Sequence, residues 1–284
     1  MRKILMVTIL GLGIFSFTAA FAEDLDNSVR VSGRSFLASD VKADSGDILM
    51  VEARFNYDRE FKIVGELPLV FSLNVTHINI DESVSVDLPA ILISRGIGLG
   101  TKFPVPFMSD DRYFFGFDVF PTFKSADGYH LESHSMRVPF RSYFIFKQSD
   151  EFILAGGAEV RPLYDDEILP VLGLIYKPND RLSFNLATRD PNIAYKLDDK
   201  NTVYLEMSHT LDEFEFTKGD MDGVIVKYQN TTAGFGLEHQ FNKHIKGFIS
   251  AGAVFNRKLE YINSPGKVAI ENGPYVGFGV LGKF

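Results

Sequence analysis

The stretch RYFFGFDVFPTFK, residues 112–124, alternates between two kinds of side chain. One set is almost wholly apolar and consists of Tyr113, Phe115, Phe117, Val119, Pro121 and Phe123. The other set is mixed and consists of Arg112, Phe114, Gly116, Asp118, Phe120, Thr122 and Lys124. A period of two is typical of a β-strand whose two faces meet different surroundings. This stretch therefore predicts a strand with one apolar face and one partly charged face.

Three further runs, residues 49–57, 67–76 and 137–147, show the same division. A tilted strand needs about 9 to 11 residues to cross a bilayer, whereas strands of soluble proteins average about 5 to 6 residues. A soluble β-sandwich would also alternate, with its apolar face turned inward. The length of the runs and the many large aromatic residues on one face favour a membrane-spanning barrel instead.

The segment from Tyr275 to Phe284 separates these two alternatives. Its apolar face carries Val276, Phe278, Val280, Gly282 and Phe284. Outer-membrane barrels commonly end in such a strand, and Phe278, Val280 and Phe284 are predicted to be the signal that the barrel assembly machinery reads. The sequence therefore predicts an all-β fold, a transmembrane antiparallel up-and-down β-barrel.

Composition excludes several classes of protein. The chain has 284 residues, a formal net charge of -8 and no cysteine. A nucleic-acid-binding surface would be basic, so nucleic acid is not an expected partner. Without cysteine the chain cannot form disulfides, thiolate zinc sites or a thiol nucleophile.

The first residues resemble an export signal. Arg2 and Lys3 precede an uncharged stretch, and Ala20 and Ala22 form a small-residue cleavage pattern before Glu23. We predict cleavage after Ala22, with residues 1–22 as signal peptide and residues 23–284 as the barrel. The alternative is a retained membrane anchor, because roughly 18 apolar residues can just span a bilayer.

Turn residues suggest the number of strands. Short turns are predicted at residues 148–151, 178–181, 198–201 and 242–245, and longer connections at 38–47, 79–87, 125–136, 217–223 and 258–273. This spacing accommodates 14 strands. The strand after Ser28 and the short hairpin from Leu182 to Tyr195 are the weakest members, which leaves 12 strands as the second count.

The second half of the chain contains segments that are similar to a known family. They are Leu169 to Tyr176, Pro178-Asn179-Asp180, Asn192 to Tyr195, Gly236-Leu237-Glu238, Ala251-Gly252 with Phe255 and Arg257, and the terminal strand. Over residues 168–284 they resemble an uncharacterised family of outer-membrane β-barrel proteins of Gram-negative bacteria. The resemblance implies fold and location, and it implies no substrate and no functional residue.

Charged residues recur on the face opposite the apolar one. Charges inside a barrel persist when they are paired or hydrated, so we expect an ion-pair network across the lumen. Its predicted members are Glu52, Arg54, Asp118, Arg137, Arg141, Glu159 and Arg161, with Glu206 and Asp212 on the same face. The same phasing predicts that arginine at Phe117 destabilises the barrel, whereas serine at Gly116 has a mild effect.

Residues 128–135 contain the groups closest to a reactive site. His130, Glu132 and His134 would share one face of an extended chain, and Ser133 and Ser135 the other. A lipid-acting hydrolase or a divalent-metal site could use such groups, but the prediction is an exposed polar loop. Glu213, Glu215, Asp220 and Asp222 are likewise predicted to form a solvated acidic loop, as are residues 165–167. No catalytic, cofactor or metal residue is therefore predicted, and the chain is not expected to be an enzyme.

The function expected from these features is a channel or porin-like conduit for small solutes in the outer membrane of a Gram-negative bacterium. The alternative is a non-conducting structural or adhesion barrel whose outer loops bind a partner. Outer-membrane lipids, lipopolysaccharide and the assembly machinery are the expected partners. The sequence leaves the solute open.

Overall fold

The computed structural model describes residues 27–42, 46–62, 67–84, 88–105, 111–128, 135–187, 190–216, 223–262 and 267–284. These residues form 17 β-segments that belong to a single sheet. The described part of the chain holds no helix that is long and apolar enough to cross a membrane. The predicted signal peptide, with Ala20 and Ala22, lies outside the described residues, as do His130, Glu132, Ser133, His134, Asp220 and Asp222. Ser135, the last residue of the predicted exposed loop, is described and is 1% exposed, so that prediction is wrong at this position because the chain packs there against the barrel.

The segments follow one another around the barrel. They are β1 (Ser28–Asp40), β2 (Asp47–Lys62), β3 (Pro68–Glu82), β4 (Ile91–Pro104), β5 (Tyr113–Val119), β6 (Thr122–Ala126), β7 (Met136–Arg137), β8 (Phe140–Lys147), β9 (Phe152–Val160), β10 (Ile168–Tyr176), β11 (Leu182–Asn185), β12 (Asn192–Lys196), β13 (Asn201–Phe216), β14 (Ile225–Gln240), β15 (Ile245–Tyr261), β16 (Lys267–Ile270) and β17 (Gly273–Lys283).

Three of the barrel strands are interrupted. Pro121 separates β5 from β6 and Pro139 separates β7 from β8, because proline has no N–H for the hydrogen-bond ladder. Residues 271 and 272 separate β16 from β17. The 17 segments therefore make 14 strands, the first of the two predicted counts. Both doubtful members, β1 and the β11–β12 hairpin, are present.

The sheet closes on itself. β1 pairs antiparallel with β17, from Ser28 against Lys283 to Phe36 against Tyr275. The predicted closed antiparallel barrel is thus confirmed. We call the end at Ser28 and Lys283 the terminal end, and the opposite end the far end.

The connections alternate in length as expected for most of the chain. The short turns at residues 148–151, 178–181, 198–200 and 241–244 all lie at the terminal end. The long connection predicted at residues 258–273 is wrong over most of its length. β15 continues to Tyr261 and β16 starts at Lys267. Both strands extend into the far end of the barrel, so residues predicted as loop belong to strands.

The strands differ greatly in height. β2, β13 and β14 have 16 residues each and β15 has 17, whereas β11 has four and β12 five. Between the short strands and the far end, β13 approaches β6 and pairs with it in parallel, with Glu215 against Ser125 and Phe216 against Ala126. A bridge between Val41 and Ile270 connects β1 to β16. The far end is therefore a smaller ring of β1, β2, β3, β4, β6, β13, β14, β15 and β16.

This smaller ring is filled by apolar side chains. A barrel of about eight strands is just wide enough for its own side chains to fill it, and the far-end ring is close to that size. Phe36, Ile48, Leu92 and Leu259 are 0% exposed there. We call this packed region the far-end core. Its remaining buried members are Val41, Met50, Ile78, Ile80, Leu88, Ala126, Phe214, Phe216, Val226, Tyr228, Val254, Tyr261, Val268, Ile270 and Tyr275.

The outer wall is apolar along the predicted faces. Phe117 is 40% exposed on the outside, whereas its neighbour Asp118 is 4% exposed and faces the interior. Phe144, Leu172 and Ile249 show 58%, 61% and 61% exposure. An apolar surface of this kind is stable where it contacts lipid.

Candidate functional site

A cavity of about 210 Å³ lies in the terminal half of the barrel. We call it the lumen cavity. The inner faces of β1, β2, β12, β13, β14, β15 and β17 supply most of its walls. Its lining residues are Arg30, Ser32, Gly33, Arg34, Arg54, Asp190, Asn192, Ala194, Thr202, Tyr204, Glu206, Met207, Glu238, Phe248, Ser250, Gly277 and Phe278.

The charges of the lumen cavity are balanced. Arg34 lies 3.7 Å from the Glu206 carboxylate, and the Tyr275 hydroxyl donates a 2.9 Å hydrogen bond to the same group. The Arg30 guanidinium lies over the Phe248 ring, 4.7 Å from its centroid. Three guanidiniums and three carboxylates line the cavity together with aromatic rings, so it can accept a ligand with both polar and apolar parts.

Water reaches the inner face at the terminal end. Lys246 and Glu238 form an ion pair of 2.7 Å, and their side chains remain 36% and 27% exposed although both point inward. β13 shows how this changes with height. Its inner face runs from Tyr204 and Glu206 in the cavity to Phe214 in the far-end core. The lumen is therefore accessible to solvent at the terminal end and dry at the far end.

A second cluster of polar side chains lies where the far-end part of β13 approaches the far ends of β7, β8 and β9. Most of its side chains are buried, so their charges need partners. We call it the seam cluster. Its members are Lys124, Arg137, Arg141, Arg161, Asp118, Glu159, Asp212, Glu213 and Glu215.

Ion pairs connect the members of this cluster on β5, β8 and β9. Arg141 lies 3.0 Å from Glu159 and 4.0 Å from Asp118. Register places these residues side by side, because Asp118 pairs with Arg141 and Arg141 with Glu159 across the ladder. Arg161, only 2% exposed, lies 4.0 Å from both Glu159 and Asp212. Glu159 therefore shares its carboxylate between Arg141 and Arg161.

β13 supplies the other side of the seam cluster. Lys124 forms an ion pair with Asp212, and Arg137 lies 3.5 Å from Glu215. Glu213 accepts a 3.0 Å hydrogen bond from the Asp165 backbone N–H. Glu213 and Glu215 are 3% and 8% exposed, so their prediction as part of a solvated acidic loop is wrong.

Strand alternation in the sequence could have identified the site residues that were not predicted, in the seam cluster and in the lumen cavity. Glu213 and Glu215 alternate with Phe214 and Phe216, which continues the strand pattern of β13 beyond Asp212. The alternation of Arg30, Ser32 and Arg34 along β1 likewise points these side chains into the barrel.

The other predicted acidic loop, residues 165–167, contacts a lysine of β14. Asp165 and Asp166 each lie 2.6 Å from the Lys227 ammonium group.

The structure divides the predicted charge network into two groups. Asp118, Arg137, Arg141, Glu159 and Arg161 all belong to the seam cluster. Glu52 and Arg54 form an ion pair with each other on β2, and Arg54 lines the lumen cavity.

The residues of the predicted assembly signal lie on the outer wall of the last strand. Phe278, Val280 and Phe284 are 45%, 42% and 65% exposed. The Phe284 backbone N–H donates a 2.8 Å hydrogen bond to the carbonyl oxygen of Asn27. This bond joins the two ends of the described barrel.

A closed barrel with an apolar outer wall and a charged, partly hydrated interior defines the class of membrane-spanning β-barrels. Residues 124–280 match the sequence profile described as Domain of unknown function (DUF6268), and the chain belongs to this family. No curated protein matches the chain.

Several solved structures are similar in overall shape. The COG4313 outer membrane channel from Pseudomonas putida F1 is 11% identical, with a TM-score of 0.48, over 95% of this chain and 100% of that chain. A Pseudomonas aeruginosa FadL homologue is 11% identical, with a TM-score of 0.46, over 94% and 92% of the two chains. The translocator domain of the autotransporter NalP from Neisseria meningitidis is 12% identical, with a TM-score of 0.37, over 92% and 89%. Likeness of this degree assigns no substrate.

Proposed function

We propose that this protein is a conduit for small solutes in the outer membrane of a Gram-negative bacterium. The observation that carries the proposal is the lumen cavity, which lies inside a closed apolar wall and is lined by paired charges. The far end of the barrel is filled by apolar side chains, whereas three guanidiniums and three carboxylates surround this internal space. The export signal predicted at residues 1–22 supports the location.

The alternative is a non-conducting structural or adhesion barrel. The far-end core favours it, because packed side chains fill the ring through which an axial path would leave the barrel. The two functions make different predictions for solute movement. A conduit passes solutes that fit the lumen cavity, whereas a structural barrel passes none.

Flux measurements on proteoliposomes test the proposal. We expect the purified protein to release small entrapped solutes faster than protein-free vesicles do. Ala194→Trp places a large side chain in the lumen cavity and should reduce this flux. Ile193→Trp is the matched control, because Ile193 neighbours Ala194 on β12 but faces the opposite side of the wall.

Each variant must first show a folded barrel by its migration in detergent gels. Flux that falls in the Ala194 variant and not in the Ile193 variant supports a path through the cavity. A wild-type protein that releases solutes no faster than empty vesicles would instead support the structural alternative.

A further inference from the structure

The three guanidiniums of the lumen cavity lie on one side of the barrel. Arg30 and Arg34 are four residues apart on the inner face of β1. Arg54 of β2 pairs with Ser32, the residue midway between them. Residues placed diagonally on neighbouring strands are roughly 7 to 8 Å apart, so the three cations belong to one patch. We call it the cationic patch.

Two carboxylates of the lumen cavity lie on a different part of the wall. Glu206 belongs to β13 and Glu238 to β14, and both line the cavity. The wall runs from β13 through β14, β15 and β17 to β1, so β15 and β17 separate these carboxylates from the cationic patch. The cavity therefore has a positive side and a negative side, and a field acts across it.

One ion pair joins the two sides across the lumen. The Arg34 guanidinium lies 3.7 Å from Glu206 Oε1, which also accepts the 2.9 Å hydrogen bond from the Tyr275 hydroxyl. A separation of 3.7 Å is longer than a hydrogen bond. Within the described residues, the Arg34 guanidinium donates no hydrogen bond and Glu206 Oε2 accepts none. The pair thus keeps donors and an acceptor that a ligand can use.

A small molecule can reach this pair from the lumen cavity. The side chains of Arg34 and Glu206 are each 18% exposed, and both line the cavity. Glu238 lines the same space and forms its ion pair with Lys246 at the solvent-accessible terminal end. The path from solvent to the Arg34–Glu206 pair therefore runs along the inner face of the barrel.

The volume and the charges of the lumen cavity restrict its ligand. Its volume of about 210 Å³ is below the roughly 300 to 1,000 Å³ of pockets for drug-sized molecules, so the ligand is small. A ligand with a single charge would pair with one side and displace water from the other side without replacing it, which is costly. A ligand that carries one charge of each sign, close together, satisfies both sides.

We propose that the lumen cavity binds small zwitterions of the α-amino acid type, with their carboxylate on Arg34 and their ammonium group on Glu206. The inference rests on the proposed conduit and specifies its solutes. The ammonium nitrogen and the carboxylate oxygens of an α-amino acid lie about 3 Å apart by standard bond lengths, a spacing close to the 3.7 Å between Arg34 and Glu206. The rings of Phe248 and Tyr204 line the same cavity and offer a surface to an apolar side chain of the ligand.

Three compounds that share one apolar part test the site. L-Leucine carries both charges, 3-methylbutylamine lacks the carboxylate, and 4-methylpentanoate lacks the ammonium group. A single cysteine reports occupancy, because the chain contains none. Ala194→Cys places a thiol in the lumen cavity, and the measurement is how far each compound slows its modification by methyl methanethiosulfonate. Asp199→Cys, in the exposed turn at residues 198–200, is the control for effects on the reagent itself.

The concentration that halves the modification rate compares the three compounds. We expect leucine to protect Ala194→Cys at a concentration at least about tenfold lower than either singly charged compound, because each of those leaves a polar group of the site without a partner. None of the three should protect Asp199→Cys. Equal concentrations for the three compounds, or no protection by leucine, would overturn the zwitterion site.

Substitutions in the Ala194→Cys protein assign the two charges. Arg34→Gln should remove the advantage of leucine over 3-methylbutylamine, and Glu206→Gln should remove its advantage over 4-methylpentanoate. Arg59→Gln is the matched control and should keep both advantages, because Arg59 is exposed on the outer face of β2. Variants are compared only if they keep the gel migration of a folded barrel, and the three-compound comparison on Ala194→Cys stands without them. Folded Arg34 and Glu206 variants that keep both advantages would overturn the assignment.

Flux of leucine and of small uncharged solutes through the wild-type protein in proteoliposomes separates this inference from the proposed function. Selective protection by leucine without any flux supports the zwitterion site and overturns the conduit. Solute flux without selective protection overturns the zwitterion site and leaves the conduit in place. Leucine flux together with selective protection supports both.

Discussion

Gly116 shows how one residue fixes the packing of the barrel interior. It lies directly opposite Tyr143 in the ladder between β5 and β8, and a Cβ atom at this position would overlap the Tyr143 ring. Tyr143 is 5% exposed, and its hydroxyl lies 3.5 Å from Asp118. The expectation that serine is mild at Gly116 is therefore wrong, because the residue faces a filled part of the lumen and not an open one.

We expect Gly116→Ala to lower the free energy of unfolding by about 1 to 3 kcal/mol, the usual range for overpacking. Gly156→Ala is the control, because a Cβ on that glycine meets no atom within 4 Å. Urea unfolding in lipid vesicles measures both. Equal losses at the two positions would show that the Tyr143 ring moves aside at no cost.

Arg141 is the residue on which two carboxylates depend. Arg141→Ala should lower the free energy of unfolding by about 3 to 5 kcal/mol, because Asp118 and Glu159 lose a partner inside the barrel. Lys147→Ala, on the same strand, should cost less than about 1 kcal/mol, since its partner Asp150 is exposed. The unfolding temperature of each variant checks this difference, and similar temperatures would contradict it.

At the scale of the strands, local sequence explains much of the fold. Alternation and turn residues locate most strands, because the turns predicted at residues 148–151 and 178–181 directly precede β9 and β11. These signals are local, because each strand pairs with its sequence neighbour. The pairing of β13 with β6 is not local, so nothing near Glu215 in the sequence indicates Ser125 as its partner. The seam cluster depends on that crossing, so its members on β13 beyond Asp212, Glu213 and Glu215, could not be predicted to join it.

The turn between β12 and β13 gives a prediction for pH. Hydrogen bonds from the Asn201 side chain and from the backbone N–H groups of Lys200 and Asn201 hold the pKa of Asp198 below its usual 3.8. A carboxyl whose pKa is lowered by folding stabilises the folded state above its usual pKa, and this contribution disappears as the pH falls through the lowered value. Asp198→Ala should therefore lower the unfolding midpoint at pH values above 3.8.

The difference between this variant and the wild-type protein should shrink in acid. Asp199→Ala is the control, because the neighbouring carboxylate makes no hydrogen bond within the described residues of the turn. Denaturant titrations at neutral and acidic pH measure the two differences. A constant difference across pH would mean that the Asp198 charge does not stabilise the turn.

At the scale of the whole molecule, stability depends on closure. Every strand has two neighbours only because β1 and β17 pair along nine residues, from Ser28 with Lys283 to Phe36 with Tyr275. An open edge would expose unpaired backbone groups to lipid, where each costs several kcal/mol. The outer wall and the lumen cavity both depend on this one pairing.

Removal of residues 273–284 should therefore abolish the folded barrel. We expect the full chain to migrate faster in detergent gels before heating than after, as a compact barrel does, and the shortened chain to migrate identically in both cases. The physical reason is that β1 and β15 would both become edges in the membrane. A shortened chain that kept its heat-dependent migration would show that the remaining strands can close without β17.

The pairing of Ser28 with Lys283 also bears on how fast the protein folds. These two residues come from opposite ends of the described chain, and contacts between distant residues carry the largest loop-closure entropy. Proteins dominated by such contacts fold slowly, while hairpins between neighbouring strands form in microseconds. The hairpins of this chain can thus assemble early, but the ring is completed only when the last strand reaches the first. Until then the polypeptide is a curved sheet with two unpaired edges, and this is the stage at which the chain most needs protection from aggregation.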